Sequence, residues 1–276
     1  MKKNKITNII SALVFLAGLS LLLYPGLSDR WNRTRASQAI AGYTRQVADL
    51  NEKKYQQMYL ETVAYNTART NQAIGTALDR EEQTAYQSVL NVTGTGMMGY
   101  IEIEKLWVNL PIYHGTDETA LQMGAGHVEW SSLPVGGEST HCVLSGHRGL
   151  PSAKLFSDLD QLEEGDRFTL HVLNEVLSYE VDQIRIVKPE VTKDLKIEKG
   201  KDYCTLVTCT PYGVNTHRLL VRGHRVETEK KAGVMSEAMV VEPLLVAPFL
   251  AVPLLLVLVI SIWRKPRRGR KKSLPE

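Results

Sequence analysis

The sequence is poor in residues that form cross-links or metal sites. Its 276 residues include only three cysteines, Cys142, Cys204 and Cys209. An odd number cannot pair completely within one chain, so at least one thiol stays free. His141 and His147 accompany the cysteines, but no paired CxxC or HxxxH spacing occurs. The sequence therefore disfavours a zinc site, and it contains neither an internal repeat nor a low-complexity segment.

The overall composition excludes two broad classes of protein. Charged residues make up 23% of the chain and apolar residues 43%. A disordered polyelectrolyte would contain fewer apolar residues, and a mostly intramembrane protein would contain fewer charges. The composition therefore indicates a folded domain with a sizeable core.

Long uncharged runs occur at each end of the chain. Residues 6–23 and 243–263 carry no charge, and each is long enough to span a bilayer as a helix. Both runs have their basic flank on the terminal side, so both termini are expected in the cytoplasm and the middle of the chain outside it. Prolines occur in the second run, but membrane helices tolerate proline. A cleaved signal peptide is the alternative for the first run, although no small-x-small cleavage site follows it.

The formal net charge of +3 hides an uneven distribution. The two tails hold 10 of the 33 basic residues and one of the 30 acidic residues. Residues 24–242 consequently carry a net charge of −6. A protein that binds nucleic acid needs basic groups that displace counterions from phosphate, so no nucleic-acid partner is expected.

The segment after the first apolar run has a helical pattern. Ile40, Tyr43, Val47 and Leu50 are spaced for one helix face. A second stripe contains Tyr55, Met58, Tyr59 and Val63. Residues 71–84 are polar, without a clear period, and are interpreted as a loop. We therefore expect an N-terminal helical region over residues 24–91.

From residue 97 onward the period changes to two. Alternating apolar runs occupy residues 100–110, 141–144, 168–173, 177–187, 203–209 and 218–226, and turn signals such as Gly136-Gly137 separate them. Many short strands joined by turns are typical of a β-barrel or a sandwich. The sequence therefore predicts a mainly β domain over residues 92–226.

Three residues of this domain could act together as a thiol-based catalytic site. Cys209 ends an apolar strand, where a side chain is both fixed and accessible. A thiol nucleophile needs a neighbouring base, and His147 stands at another strand end between glycines, with His114 and His127 as weaker rivals. Arg218 begins the next strand, where its guanidinium can return beside Cys209 and stabilise a developing oxyanion.

Several strings resemble the sortases, a family of cysteine transpeptidases, and in particular their class C, pilus-building branch. The TLxTC signature appears as Thr205 to Cys209 and continues to Arg222-Gly223; related strings begin at Met98, Leu110 and Leu144. The resemblance covers about residues 92–226. It implies a closed eight-stranded β-barrel in a Gram-positive cell membrane, with Cys209 as nucleophile, His147 as general acid/base and Arg218 as the substrate-positioning group.

The resemblance also implies a reaction and its partners. Cys209 would cut an LPxTG-like sorting signal between Thr and Gly, leaving a thioester that a lysine amine of the next pilin resolves. The thioester keeps the acyl group activated, so no cofactor is expected. Attachment of proteins to cell-wall peptide is the alternative enzymatic function, and a catalytically silent binding domain is the alternative outside enzymes.

One departure from the class C pattern concerns the lid. Members of this branch usually carry an Asp-Pro-aromatic motif before the barrel, lying over the cysteine. The corresponding region, residues 71–85, contains Leu78-Asp79-Arg80-Glu81 and no proline. We therefore expect Cys209 to be less occluded than is usual in the branch.

The spacing of the other two cysteines leads to one further prediction. Cys142 stands five residues before His147, and Cys204 stands five before Cys209. If the two strands lie side by side and parallel, the equal offsets bring Cys142 next to Cys204. A buried contact and a disulfide both remain open, since a disulfide needs Cβ atoms about 3.8 Å apart.

The chain as a whole is expected to be a two-span membrane protein with an extracellular catalytic domain. The expected segments are a cytoplasmic tail, a span, the helical region, the barrel, a linker, a second span and a basic cytoplasmic tail, at residues 1–5, 6–23, 24–91, 92–226, 227–242, 243–263 and 264–276.

Overall fold

The computed structural model describes residues 2–70, 72 and 74–228. It divides the chain into two compact units. Among the described residues, the first comprises residues 2–26 and the second comprises the described residues from 27 to 228. The second unit contains the β domain and the candidate site.

Eight strands close into a barrel in the order β1-β2-β3-β4-β7-β8-β6-β5. This confirms the predicted barrel and its strand number. The three-residue strand β3 was not predicted, because its alternation is too short to be visible in the sequence. The strands are β1 (Met97–Ile103), β2 (Val108–His114), β3 (Ala125–His127), β4 (Thr140–Ser145), β5 (Arg167–Val172), β6 (Glu175–Val187), β7 (Asp202–Thr210) and β8 (His217–Val226).

The described part of the chain also contains four α-helices: α1 (Lys2–Ala48), α2 (Glu52–Arg69), α3 (Arg80–Ser88) and α4 (Glu118–Met123). The side chain of Asn51 caps α2 by accepting a hydrogen bond from the Lys54 backbone N–H. The prediction of a loop over residues 71–84 is wrong at its end, where α3 begins. Asp79 and Glu82 form a capping box, a start signal that was present in the sequence and overlooked.

The apolar first run forms part of α1. Within the described residues there is one helix long and apolar enough to cross a membrane, at Ile10–Ala48, where an 18-residue window has a mean hydropathy of 2.0. A membrane anchor and a signal sequence both fit this helix. The second predicted span, residues 243–263, lies outside the described residues.

The later part of α1 packs through the face that the sequence predicts. Ile40, Tyr43 and Val47 are buried. The Tyr43 hydroxyl donates a hydrogen bond to the Met98 carbonyl at 2.8 Å and accepts one from the Leu173 N–H at 2.8 Å. One phenol thus joins α1 to β1 and to the loop between β5 and β6.

The buried face of α2 agrees with the prediction in part, since Tyr55, Met58 and Tyr59 pack partly buried against the core. Val63 is exposed, whereas Asn66 is buried. The Asn66 side chain donates to the Leu133 carbonyl and accepts from the Leu133 N–H, at 3.1 and 2.7 Å. A side-chain amide can in this way hydrogen-bond both the N–H and the C=O of one backbone residue, as another strand would. The buried side chain therefore has a hydrogen-bond partner for both its amino group and its carbonyl oxygen, and apolar periodicity could not reveal it.

Barrel stability should fall at mildly acidic pH because of His141. Its two ring nitrogens contact the Lys196 carbonyl and the Thr205 hydroxyl, at 2.9 and 2.7 Å, and burial lowers its pKa to about 4. Between about pH 6.5 and 4 the unfolded chain binds a proton that the folded chain does not, so the free energy of unfolding should decrease as the pH falls. The loss is on the order of 3 kcal/mol. Chemical denaturation across this range, with His141→Gln as control, measures it; equal pH slopes in the two proteins would contradict the prediction.

Candidate active site

The positions of Cys209 and His147 follow from a parallel pair of strands. β4 and β7 run parallel in one register, from Thr140 opposite Asp202 to Ser145 opposite Val207. His147 and Cys209 each lie two residues beyond the last pair. The two side chains therefore leave the barrel at the same end and from neighbouring strands.

The backbone beyond the last pair is held firmly. The Gly146 N–H donates to the Val207 carbonyl at 3.0 Å, and the Thr208 hydroxyl donates to the Gly146 carbonyl at 2.7 Å. A Cβ atom on Gly146 would lie 2.5 Å from the Phe156 ring. Only glycine therefore fits at this position. Two hydrogen bonds and the Phe156 ring hold the backbone just before His147.

Arg218 lies directly across the β7–β8 hairpin from Cys209, as its Cα partner. Its guanidinium donates to the carbonyls of Asn215 and His217, at 3.3 and 3.1 Å. The expected hairpin return is thus present. Arg222, farther along β8, makes two hydrogen bonds to Asp182 at 2.9 and 3.1 Å.

The two rival histidines have structural surroundings. The ring nitrogens of His114 lie 2.8 Å from the carbonyls of Gly96 and Val89, and burial lowers the pKa of His114. His127 is fully buried between the Tyr86 hydroxyl and the Ser132 carbonyl, each 2.9 Å from a ring nitrogen. Of the three candidates, His147 alone stands at the end of a strand that pairs with β7.

A residue with no predicted role, Arg148, connects the two halves of the site. Its guanidinium donates to the Thr210 hydroxyl at 3.3 Å and forms an ion pair with Asp160. It also lies over the Tyr212 ring, 5.9 Å from the centroid. Arg148 therefore ties the loop that follows His147 to the loop that follows Cys209. The sequence signal that could have pointed to this role is the position of Arg148 between His147 and Gly149.

The prediction that Cys142 lies beside Cys204 is confirmed, since they are Cα partners in the parallel pair. Both are buried, and all three cysteines are free thiols, with Cys209 partly exposed. Burial, together with the hydrogen bond that its thiol donates to Cys142, raises the pKa of Cys204 well above its ordinary range. Cys209 is therefore the thiol that solvent and substrate can reach.

The region that corresponds to the usual lid makes its contacts beside α2 and β3. Glu82 faces Arg69 at 3.6 Å, and the Gln83 amide donates to Glu129 at 3.5 Å. The Tyr86 hydroxyl, farther along α3, contacts His127. Cys209 is partly exposed, and the expectation that it is less occluded than is usual in class C stays a prediction.

Removing this region should leave the alkylation rate of Cys209 little changed. A deletion of residues 72–84 tests the expectation directly, and a shorter deletion of 72–78 preserves the Asp79–Glu82 capping box and so protects α3. The measurement is the rate of iodoacetamide labelling of the full-length chain in detergent, followed by mass spectrometry. A large rise on deletion would contradict the expectation, because it would show that the segment covers the thiol.

Comparisons with known proteins agree with this geometry. The sortase domain model matches residues 101–226. Sortase D of Bacillus subtilis (strain 168) is 31% identical over 195 residues, which are 69% of this chain and 94% of the relative. The crystal structure of sortase C1 from Streptococcus agalactiae matches with a TM-score of 0.68 and 53% identity, covering 70% of this chain and all of that one. Sortase C of Clostridium perfringens, solved with the C-terminal cell wall sorting motif, matches with a TM-score of 0.61 and 42% identity, over 70% of this chain and all of that one.

The barrel and these relatives define the class of protein: the chain belongs to the sortase family and is a cysteine transpeptidase. Its similar solved structures are sortases of class C. The chain is accordingly a class C sortase, as the resemblance of its motifs predicts.

Proposed function

We propose that this sortase cleaves an LPxTG-like sorting signal between Thr and Gly and joins the new acyl end to a lysine amine of a pilin subunit, polymerising pili. The observation that carries the proposal is the shared register of β4, β7 and β8, which gathers His147, Cys209 and Arg218 at one end of the barrel. The Clostridium perfringens relative, solved with the C-terminal cell wall sorting motif, supports a sorting-signal substrate.

In the proposed reaction, Cys209 is the nucleophile. Its sulfur attacks the carbonyl carbon of the threonine, and the guanidinium of Arg218 stabilises the oxyanion that develops. His147 gives a proton to the leaving glycine amine, and the thioester remains. An incoming amine then attacks the same carbon, His147 takes a proton from it, and the thiolate of Cys209 leaves.

The proposed membrane arrangement has two anchors. The apolar helix within α1 is the first, and residues 243–263 are the second. The basic flanks of both place the termini in the cytoplasm and the barrel outside. The segment boundaries at 5, 23, 91, 226, 242 and 263 remain those predicted from the sequence, with membrane lipid as the partner of both spans.

Ladder formation tests the polymerising function. The full-length chain in detergent is mixed with candidate pilins from its gene neighbourhood, and we expect SDS-resistant ladders whose rungs differ by one subunit. A pilin whose acceptor lysines are replaced by arginine serves as the matched control. If products form only with cell-wall peptide amines, the protein attaches surface proteins instead, and the polymerising function is wrong.

A further inference from the structure

A carboxylate that the sequence gives no role lies beside His147. The Glu118 Oε2 atom is 3.6 Å from the His147 Nε2 atom. Glu118 is the first residue of α4, and its side chain is 68% exposed, whereas that of His147 is 27% exposed. An acidic group therefore stands beside the Nε2 atom of the imidazole, which is itself buried and has no hydrogen-bond partner among the described residues.

The helix fixes this carboxylate but leaves it able to accept hydrogen bonds. Asp117 caps α4 by accepting from the Ala120 N–H, so the helix end does not need Glu118. The Gln122 amide donates to the Glu118 Oε1 atom at 2.8 Å, which orients the carboxylate. An ionised carboxylate has about four acceptor positions, so capacity remains for a further donor.

The second half of the proposed reaction needs such a group. A lysine amine arrives from water as an ammonium ion, yet it can attack the thioester only after losing a proton. The negative charge of Glu118 favours a cation at the place where His147 can take a proton from it. Water, the competing nucleophile, is uncharged, so the carboxylate does not attract it as it attracts an ammonium ion.

We propose that Glu118 docks the acceptor ammonium and thereby selects an alkyl amine as the second substrate; this rests on the proposed function. The docked ammonium releases one proton to solvent, and the neutral nitrogen attacks the thioester carbon. The C–N bond forms as the C–S bond breaks, His147 takes the second proton from the nitrogen, and Cys209 leaves as the thiolate. The proton released to solvent carries away the charge of the ammonium, and in the acyl transfer the new thiolate and the new imidazolium have opposite charges.

Two nucleophiles of different charge test the docking role. The full-length chain in detergent is acylated with an LPxTG peptide and offered either Nα-acetyl-lysine methylamide, a cation, or hydroxylamine, which is uncharged at neutral pH. In Glu118→Gln, the half-saturating concentration of the lysine amide should rise about fivefold, the effect of losing one partly exposed charge pair. Hydroxamate formation should change less in Glu118→Gln. High salt should reduce the difference in half-saturating lysine amide concentration between Glu118→Gln and the unmodified chain.

Matched variants separate docking from support of the histidine. Glu118→Asp keeps the charge and should restore part of the lysine preference. Glu163→Gln removes an exposed carboxylate that faces Lys105 and should leave both rates unchanged. Equal slowing of both nucleophiles in Glu118→Gln would overturn the proposal, because it would show that Glu118 only positions His147. Unchanged use of the lysine amide would overturn it as well.

The same experiment distinguishes a failure of the proposed function. If the unmodified chain forms no hydroxamate from the LPxTG peptide, then no thioester forms on Cys209. In that case the proposed function fails before any acceptor is involved. If hydroxamate forms normally and only the lysine dependence is unaffected by Glu118→Gln, then the thioester chemistry stands and the docking role alone is wrong.

Discussion

Replacing Cys209 by alanine is expected to abolish transfer of an LPxTG peptide, with a loss of at least about 10³-fold in turnover. Without a sulfur at this strand end no thioester can form, and neither of the other thiols can substitute, because Cys142 and Cys204 are buried inside the barrel. The measurement is the release of the glycine-containing product, together with intact mass of the acylated chain.

A buried cysteine supplies the matched control for this change. Cys204 stands on the same strand, and Cys204→Ala removes an equal number of atoms from the barrel core. This control should lower stability by about 1 kcal/mol and still form the acyl-enzyme. Turnover retained by Cys209→Ala, or an acyl adduct found on another residue, would refute the assigned nucleophile.

Replacing Arg218 by alanine should reduce turnover by a factor on the order of 10² to 10³, the usual effect of removing one oxyanion donor. The guanidinium is directly across the hairpin from Cys209, and its present acceptors are the carbonyls of Asn215 and His217. These are neutral groups, so the cation is not already paired with a carboxylate there and can turn toward a developing negative charge. Peptide-cleavage kinetics measure the effect as kcat.

Arg222 is the control for Arg218, since both belong to β8. The Arg222 guanidinium is paired with Asp182 and lies 4.2 Å from the centroid of the Tyr203 ring. Arg222→Ala should therefore cost stability while leaving kcat close to that of the unmodified chain. Arg218→Lys keeps a positive charge but loses the planar fork, so an intermediate kcat is expected. Equal kcat losses in Arg218→Ala and Arg222→Ala would indicate damage to β8 and not a lost oxyanion contact.

The strands and the candidate site residues at their ends could be predicted because they depend on local patterns, whereas those patterns left a barrel and a sandwich open and the closed barrel was implied by the resemblance to sortases. Period-two alternation locates the long strands. The equal offsets of Cys142 from His147 and of Cys204 from Cys209 predict that Cys142 lies beside Cys204 if the two strands are parallel neighbours, and the structure shows this arrangement. The short strand β3 has too few residues for a period.

Other features could not be predicted because they depend on contacts between distant segments. Asn66 is buried through a backbone group 67 positions away, at Leu133. The Arg148 connection needs two loops that are separate in the chain, and the approach of Glu118 to His147 depends on how α4 packs. Side-chain periodicity reports which face of an element is apolar and carries no information about such pairs.

The register between β4 and β7 has a consequence for variation among related chains. The connection between β6 and β7, residues 188–201, contains none of the reactive side chains, and the β4–β7 ladder, not this connection, determines where those side chains stand. The connection can therefore gain or lose residues without changing the distance from imidazole to thiol. A single inserted residue inside either strand, however, would turn the side chains after it to the opposite face. Indels among relatives should accordingly collect in the connection and be absent from the strands.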